Sequence, residues 1–175
     1  MKTIILPGYS ISNKEWAYDV KENLKLGHGV LVHEWKHWLS TSLGSPSGSF
    51  SVKYETERIL NTVGKDNLNI IAKSVGTRIA MHLIPLLGGQ IKKLILCGIP
   101  TRFENDTARI LYKAGLSELE PEQVTCFQNT KDPLANYAVI KRFINSVDPK
   151  IKVIEMPRSD HHYPYFEEFN KLLTS

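Results

Sequence analysis

The sequence of 175 residues lacks the features that define several large protein classes. It has only two cysteines, Cys97 and Cys126, each inside an apolar strand-like run, which is typical of buried free thiols and too few for a disulfide framework. No Cys-x-x-Cys motif or paired-histidine helix suggests a metal site. No segment approaches the roughly 18 consecutive apolar residues that span a bilayer. We therefore expect no disulfide scaffold, no metal and no membrane span.

Clustered charge is also missing. The net charge is only +4, and the lysines are spread along the chain. Nucleic-acid-binding proteins more often show a basic stripe with interleaved aromatic residues, so we expect no nucleic-acid partner despite a pI near 9.0. The apolar start of the chain is ended by Pro7-Gly8, too early for a secretory signal. These features favour a cytoplasmic protein.

Short β-rich runs alternate with helical patterns along the whole chain, and no linker divides it. The length suffices for one domain, residues 1–175, with a substantial core. Predicted strands are 3–6, 30–34, 69–72, 93–97, 124–128 and 152–156, and predicted helices are 16–24, 52–63, 75–87, 105–114, 135–145 and 163–173. Strict alternation favours parallel pairing with right-handed crossovers. We predict an α/β protein, a three-layer α/β/α sandwich with a mainly parallel six-stranded sheet.

The most informative segment is the pentad Ala72-Lys73-Ser74-Val75-Gly76. It falls between a buried strand and a buried helix, and it is a variant of Gly-x-Ser-x-Gly with alanine in place of the first glycine. A serine on such a turn is the geometry of a nucleophile elbow, which presents the hydroxyl above the sheet. The alternative is that Ser74 caps the following helix through its hydroxyl.

A serine hydroxyl needs a base to take its proton, and the base needs a third group to orient it. Asp132 follows the fifth predicted strand, where a carboxylate can accept from an imidazole, although it can also be a helix N-cap before Pro133. His161 and His162 follow the last strand, at the place expected for a general base. We predict His161 as the base, with His162 as the alternative.

The order Ser74, Asp132, His161 resembles that of the α/β-hydrolase superfamily. The resemblance covers nearly the whole chain and implies a compact α/β-hydrolase fold. It is closest to small, capless serine esterases, including the retinoblastoma-binding-protein-9-like hydrolases. The predicted sheet is smaller than is usual in the superfamily, and the missing strands would be those of the first edge.

Acyl transfer also needs hydrogen-bond donors for the oxyanion, each worth roughly 3–4 kcal/mol in well-studied enzymes. The elbow supplies the backbone N–H of Val75. By position, the loop after the first strand supplies the N–H of Tyr9, with Ser10 as the alternative. The family often has His-Gly in this loop, whereas this chain has Pro7-Gly8. Because the donors are backbone groups, the change at Pro7 leaves the expectation intact.

Other residues near these loops leave alternatives open. Lys73 either favours an anionic substrate or depresses the histidine pKa, or else it points to solvent or pairs with a surface acid. Trp16, Trp35, His37 and Trp38 either wall an acyl pocket or pack under helices. Residues 101–121 lie where the superfamily inserts lids, and they suffice for one helix over the site's mouth. The Ser- and Gly-rich residues 40–51 form a loop that we expect to be mobile.

The sequence therefore predicts a serine hydrolase that cleaves small-molecule carboxylic esters or thioesters through an acyl-enzyme and needs no cofactor. The triad would be Ser74, Asp132 and His161, with the Tyr9 and Val75 N–H groups as the oxyanion hole. A carboxylesterase is the leading prediction, and a thioesterase or lipase uses the same machinery. The alternative is a non-catalytic interaction module on the same fold. Acyl specificity and oligomeric state are not determined by the sequence.

Overall fold

A six-stranded, all-parallel sheet forms the centre of the protein, and its strands follow the order β2-β1-β3-β4-β5-β6. The computed structural model describes residues 1–39, 50–100 and 106–174. The strands are β1 (Lys2–Leu6), β2 (Gly29–Val32), β3 (Leu68–Lys73), β4 (Ile91–Cys97), β5 (Val124–Asn129) and β6 (Lys152–Met156). The predicted number and order of strands along the chain are confirmed.

Helices cover both faces of the sheet, as the alternating pattern predicts. They are α1 (Asn13–Asn23), α2 (Lys36–Leu39), α3 (Val52–Val63), α4 (Val75–Leu87), α5 (Asp106–Leu116), α6 (Tyr137–Val147) and α7 (Phe166–Thr174). Helices α3 to α6 pack over one core, and α1 and α7 pack over the other. The result is the predicted three-layer α/β/α sandwich.

The two cores follow from the alternation of side chains along the strands. In β3, Ile70 and Ala72 join the larger core, whereas Ile71 points to the opposite face, under α1 and α7. All six residues of β3 are buried, as expected for a central parallel strand. Lys73, two residues after Ile71, lies on the α1 and α7 face.

Several element boundaries differ from those predicted. Helix α7 begins at Phe166, three residues after the predicted start, because Pro164 disfavours helical backbone at Tyr163. Helix α6 begins after Asn136, whose side chain accepts a hydrogen bond from the N–H of Val139 at 3.0 Å. The four-residue helix α2 was not predicted.

The helix in the segment considered as a lid belongs to the helix layer. Tyr112 and Leu116 of α5 are buried in the larger core, and Gly115 lies against Met81 of α4. Helix α5 therefore covers the sheet and does not lie over the site's mouth. Residues 101–105, and residues 40–49 of the predicted mobile loop, lie outside the described residues.

Parallel strands bring their carboxyl ends to one edge of the sheet, where ligand sites of such folds are built. The loops after β1, β3, β4, β5 and β6 meet at this edge, and they carry all the predicted site residues. Within the described chain, no helix has the length and apolar character needed to cross a membrane.

Candidate active site

Ser74 stands on a strained turn between β3 and α4. Its φ of 53° and ψ of −120° make it the one non-glycine residue with positive φ in the part of the chain that the structure describes. Such backbone costs on the order of 1–3 kcal/mol and persists only where the surroundings enforce it, most often at functional sites. The geometry is that expected of a nucleophile elbow.

Gly76 shows why the turn needs a small residue after the serine. A Cβ atom at this position would lie 2.1 Å from the carbonyl oxygen of Leu6 and 2.9 Å from that of Pro7. The first turn of α4 therefore touches the end of β1 backbone to backbone. This contact brings Val75 beside the loop that was predicted to supply the second oxyanion donor.

The hydroxyl of Ser74 does not cap α4, so the capping alternative is wrong. The backbone carbonyl of Ser74 accepts instead from the N–H of Thr77 at 2.9 Å and from the Thr77 hydroxyl at 2.6 Å. These bonds hold the turn through the main chain. The side chain of Ser74, which is half-buried, is left for other contacts.

Asp132 and His161 form a hydrogen-bonded pair, with Nδ1 of His161 2.6 Å from Oδ2 of Asp132. Asp132 follows β5, and His161 follows β6, which is the neighbouring strand. Asp132 is not the N-cap of α6, since Asn136 occupies that place. Its Oδ1 atom accepts from the N–H of Leu134 at 2.8 Å, which fixes the carboxylate within its own loop.

Tyr163 is a third partner of this carboxylate. Its buried hydroxyl donates to Oδ2 of Asp132 at 2.5 Å. Burial alone would raise the pKa of Asp132, but the hydrogen bonds from His161 and Tyr163 outweigh burial and lower it. Asp132 is therefore ionised at neutral pH.

An ionised Asp132 determines which imidazole nitrogen of His161 carries the proton. A carboxylate only accepts hydrogen bonds, so Nδ1 of His161 is protonated, and in the neutral ring Nε2 holds the lone pair. Nε2 is buried and has no hydrogen-bond partner among the described residues. An unpartnered acceptor is what a general base presents to an incoming proton.

The turn after β4 relates this imidazole to Ser74. The N–H of Ser74 donates to the carbonyl of Cys97 at 2.9 Å. The next residue, Gly98, has a φ of 59°, and a Cβ atom there would lie 2.7 Å from Cε1 of His161. Ser74 and His161 thus contact consecutive residues of one turn. No hydrogen bond joins their side chains in the described structure, a common situation when substrate is absent.

His162 has different surroundings. Its side chain is exposed and makes no hydrogen bond to a described residue, while its backbone N–H donates to Asp160 at 3.1 Å. Burial of part of the ring, together with the charge of Lys73, lowers the pKa of His162. Of the two candidate histidines, only His161 contacts Asp132.

The loop after β1 is held by its carbonyl groups. The indole N–H of Trp35 donates to the carbonyl of Gly8 at 2.9 Å, and that of Trp38 donates to the carbonyl of Tyr9 at 2.8 Å. The ring of His37 also lies 2.8 Å from the carbonyl of Tyr9. The N–H of Tyr9 makes no hydrogen bond within the described residues, which leaves it available to a ligand.

These contacts decide between the two roles considered for Trp35 and Trp38. Both are buried and hold the loop after β1 by its carbonyl groups, so they pack inside the protein. Trp16 is buried as well. Trp16 has a further contact, since its indole N–H donates to the carbonyl of Tyr163 at 2.9 Å. That bond ties α1 to the loop that carries His161.

Lys73 does not point to solvent and does not pair with a surface acid. It is 4% exposed, and its Nζ atom donates to Oδ1 of Asn13 at 2.7 Å. Burial lowers its pKa to about 8. Lys73 therefore lies inside the protein next to the candidate site.

Sequence reasoning missed three residues that shape this site. Asn129 donates through its amide to the carbonyls of Asp160 and His162 at 2.8 and 2.9 Å, and so holds the histidine loop. Gly98 leaves room for the imidazole, and Tyr163 binds the carboxylate. Gly98 could have been recognised in the sequence as a glycine directly after a buried strand. Nothing in the sequence indicates the roles of Asn129 and Tyr163.

Among the described residues, no group of three His, Cys, Asp or Glu side chains could hold a metal ion. The free thiols of Cys97 and Cys126 are both buried, as predicted, and burial raises their pKa values.

No family model and no curated protein sequence matches the chain. Solved structures do match it. XC6422 from Xanthomonas campestris, described as an a/b serine hydrolase without lid, is 15% identical with a TM-score of 0.64 over 99% of this chain and 78% of that one. The ydeN gene product from B. subtilis is 12% identical, with a TM-score of 0.63 over 99% of each chain. The esterase EaEST from Exiguobacterium antarcticum is 11% identical, with a TM-score of 0.65 over 99% and 90%.

At these identities the similarity establishes the fold. The chain has an α/β-hydrolase fold with a six-stranded parallel sheet.

Proposed function

We propose that this protein is a serine hydrolase that cleaves carboxylic esters or thioesters through an acyl-enzyme, with Ser74 as nucleophile, His161 as base and Asp132 as the acid of the triad. The observation that carries the proposal is the pairing of a strained Ser74 with an oriented imidazole across one turn. A strained strand-to-helix turn does not by itself require a serine. The imidazole of His161, bound to a carboxylate, supplies the base that a serine nucleophile needs.

The reaction follows from the protonation states. Nε2 of His161 takes the proton of Ser74 as Oγ attacks the substrate carbonyl, and Asp132 stabilises the imidazolium that forms. The proton then passes to the leaving alcohol or thiol. His161 next activates a water molecule, which releases the acid and restores Ser74.

The developing oxyanion would be held by the N–H groups of Val75 and Tyr9. The close approach of Gly76 to Leu6 supports this assignment, because it brings the start of α4 against the loop after β1. The indoles of Trp35 and Trp38 support it further, since they hold the loop by its carbonyls and leave the N–H of Tyr9 without a partner among the described residues.

Ester or thioester chemistry is the finer part of the proposal. It is supported by the proposed triad and by the descriptions of proteins with similar structures, among them a serine hydrolase without lid and an esterase. The described helix of the segment considered as a lid, α5 (Asp106–Leu116), packs into the helix layer and not over the site. This fits a small capless esterase, such as the retinoblastoma-binding-protein-9-like hydrolases. We propose this placement on the sequence resemblance.

The test is labelling with a fluorophosphonate probe, which reacts with an activated serine. We expect the parent protein to label, Ser74→Ala and His161→Ala to lose labelling, and His162→Ala and Ser159→Ala to retain it. Ser159 is an exposed serine of the histidine loop, which makes it a matched control. A folded parent that does not label would contradict the proposal and favour an interaction module.

A further inference from the structure

Lys73 is a buried cation whose contacts do not compensate for the burial of its charge. Within the described residues its Nζ atom makes one hydrogen bond, to the neutral amide of Asn13, and it lies 5.1 Å from the ring centroid of Trp16. An ammonium group has three donors, and a buried charge is costly unless it is paired. Within the described residues, no carboxylate oxygen lies within 4.0 Å of Lys73, so none forms an ion pair with it.

The nearby carboxylates are occupied elsewhere. Asp132 and Asp160 are the two whose charges act on Lys73. Asp132 is bound by His161 and Tyr163, and Asp160 is bound by Arg158. The thiol of Cys97 is neutral, since burial raises its pKa well above the ordinary value. None of these three groups therefore forms an ion pair with Lys73.

Lys73 lines a cavity of about 540 Å³ that also reaches the proposed catalytic base. Its buried wall is formed by Lys73 and Trp16, and its exposed edge by Ser10, Ser12 and Glu15. The other lining residues are Asn13, Asp19, His161 and His162. The cavity thus connects a buried ammonium group to the imidazole that would act on the scissile bond.

We propose that this cavity binds a carboxylate group of the substrate through Lys73, so that the enzyme takes esters that carry a second, anionic group. The inference rests on the proposed function for the reacting ester and names the class of substrate. A carboxylate would accept from the free donors of Lys73 and would supply the missing counterion. The hydroxyls of Ser10 and Ser12 lie at the entrance and hydrogen-bond to each other at 2.9 Å, which leaves one hydroxyl proton to donate to a ligand.

Acidic residues at the same cavity limit which anions fit. Glu15 and Asp19 also line it, and neither forms an ion pair with Lys73. An anion must therefore reach the buried end of the cavity to gain more from Lys73 than it loses to these carboxylates. A single carboxylate on a short chain meets that requirement better than a bulky, multiply charged phosphate ester.

The experiment compares matched pairs of chromogenic esters. One pair places the charge on the acyl side, as the 4-nitrophenyl monoester of glutaric acid and the 4-nitrophenyl ester of its monoamide. The other pair places it on the leaving group, as acetyl esters of 4-hydroxybenzoate and 4-hydroxybenzamide. The parent, Lys73→Met and the control Lys113→Met, an exposed lysine of α5, are each assayed at pH 7. Fluorophosphonate labelling of all three proteins is run in parallel.

For at least one pair, we expect the parent and Lys113→Met to prefer the carboxylate ester by about 10- to 100-fold in kcat/KM, the range for a charge-assisted bond. Lys73→Met should lose this preference, and a preference retained in Lys73→Met would overturn the inference. Proteins that label but show no preference in either pair would overturn the inference and leave the proposed function standing.

Binding of glutarate, measured by calorimetry against glutaramide, decides the case in which the parent fails to label. Tighter binding of glutarate to the parent than to Lys73→Met would support the carboxylate site even though the proposed function had failed. Equal binding to both proteins would overturn the site as well.

Discussion

At the scale of single residues, the site depends on how one carboxylate is held. Asp132 receives hydrogen bonds from a histidine ring, a tyrosine hydroxyl and a backbone N–H, all on its own buried side chain. These donors favour the ionised form, which in turn fixes the tautomer of His161. The reactivity proposed for Ser74 therefore depends on Asp132, which acts on the serine hydroxyl through the imidazole of His161.

Tyr163→Phe removes one of these donors and should weaken both stability and catalysis. A hydrogen bond to a charged group contributes about 1.5–3 kcal/mol, so the free energy of unfolding at pH 7 should fall by that amount, with kcat reduced and KM nearly unchanged. Because the lowered pKa of Asp132 stabilises the fold above the ordinary carboxyl pKa of about 4, the difference from the parent should shrink as the pH falls below it. Urea unfolding at pH 7 and pH 3.5 measures this.

The matched control is Tyr165→Phe. The Tyr165 hydroxyl donates to the neutral amide oxygen of Asn129 at 2.5 Å, so its loss should cost about 1 kcal/mol with no such dependence on pH. Equal pH dependence in the two variants would show that Tyr163 does not act through Asp132.

Lys73→Met should change how stability depends on pH at the alkaline end. The pKa of Lys73 is about 8 in the folded protein against an ordinary 10.5, so the unfolded chain binds more protons between these values. The free energy of unfolding of the parent should therefore rise with pH across this window, relative to Lys73→Met, by up to about 3 kcal/mol. Urea unfolding at pH 7.5 and pH 10 tests this, and a constant difference between the two proteins would contradict it.

At this scale the sequence indicates which residues to propose for the site, whereas most of their contacts become visible only in the structure. Ser74, Asp132 and His161 could be selected because each follows a recognisable strand. The burial of Lys73 could not be predicted, because it depends on Asn13 and Trp16 of α1, which meet β3 only in the folded chain. The sequence predicts Tyr163 inside the last helix, whereas the structure places it before α7, where its hydroxyl reaches Asp132.

At the scale of elements, the turn from β3 to α4 positions the nucleophile. Its conformation depends on the approach of α4 to β1, for which Gly76 leaves the space. The conformation of the elbow therefore depends on β1, β3 and α4 together. The pentad motif is the only part of this arrangement that can be recognised in the sequence.

Gly76→Ala should disrupt this turn. The added methyl group would meet the Leu6 carbonyl at 2.1 Å, and overpacking of this kind costs about 1–3 kcal/mol or more. We expect a lowered melting temperature and loss of fluorophosphonate labelling. Gly89→Ala is the control, since a Cβ atom there meets nothing within 4 Å. A Gly76→Ala protein as stable and reactive as the parent would contradict this account of the elbow.

The loop after β1 depends on α2 and the residues beside it. Trp38→Phe keeps an aromatic ring but removes one of the two side-chain contacts to the Tyr9 carbonyl, the other being that of His37. The N–H of Tyr9 should therefore be held less firmly. We expect kcat for an ester substrate to fall roughly 10-fold or more, with a smaller change in KM, because an oxyanion donor acts mainly in the transition state. An unchanged kcat would show that the Trp38 bond is not needed to orient an oxyanion donor.

Boundaries were the least predictable property of the elements. Helices α3 and α4 begin and end where the hydrophobic pattern indicated, because each has a strong apolar face and a glycine directly after its last residue. Helix α2 has four residues and no such pattern, so its existence depends on packing of Trp38 against the core. Short elements of this kind are set by tertiary contacts.

At the scale of the whole molecule, the parallel sheet explains why distant residues form one site. The strand order places β3, β4, β5 and β6 side by side, so the loops that carry Ser74, Gly98, Asp132 and His161 are neighbours. The alternation of strands and helices predicted parallel strands with these loops at one edge of the sheet, but it did not predict the order of the strands. The organisation of residues 1–175 as one domain and the cytoplasmic location remain predictions from the sequence.

If the chain is one domain, it should unfold in one cooperative step. Tryptophan fluorescence reports mainly on residues near the site, whereas far-UV circular dichroism reports on all helices and strands. We expect both signals to give the same midpoint in urea. Separate midpoints would show that the chain contains more than one folding unit.

The central claim, an acyl-enzyme on Ser74, is tested most directly by mass spectrometry of the protein quenched during turnover of a 4-nitrophenyl ester. The account predicts a mass increase of one acyl group, located by peptide mapping on Ser74 and absent from Ser74→Ala. Turnover without any acylated peptide, or acylation at another residue, would contradict the account.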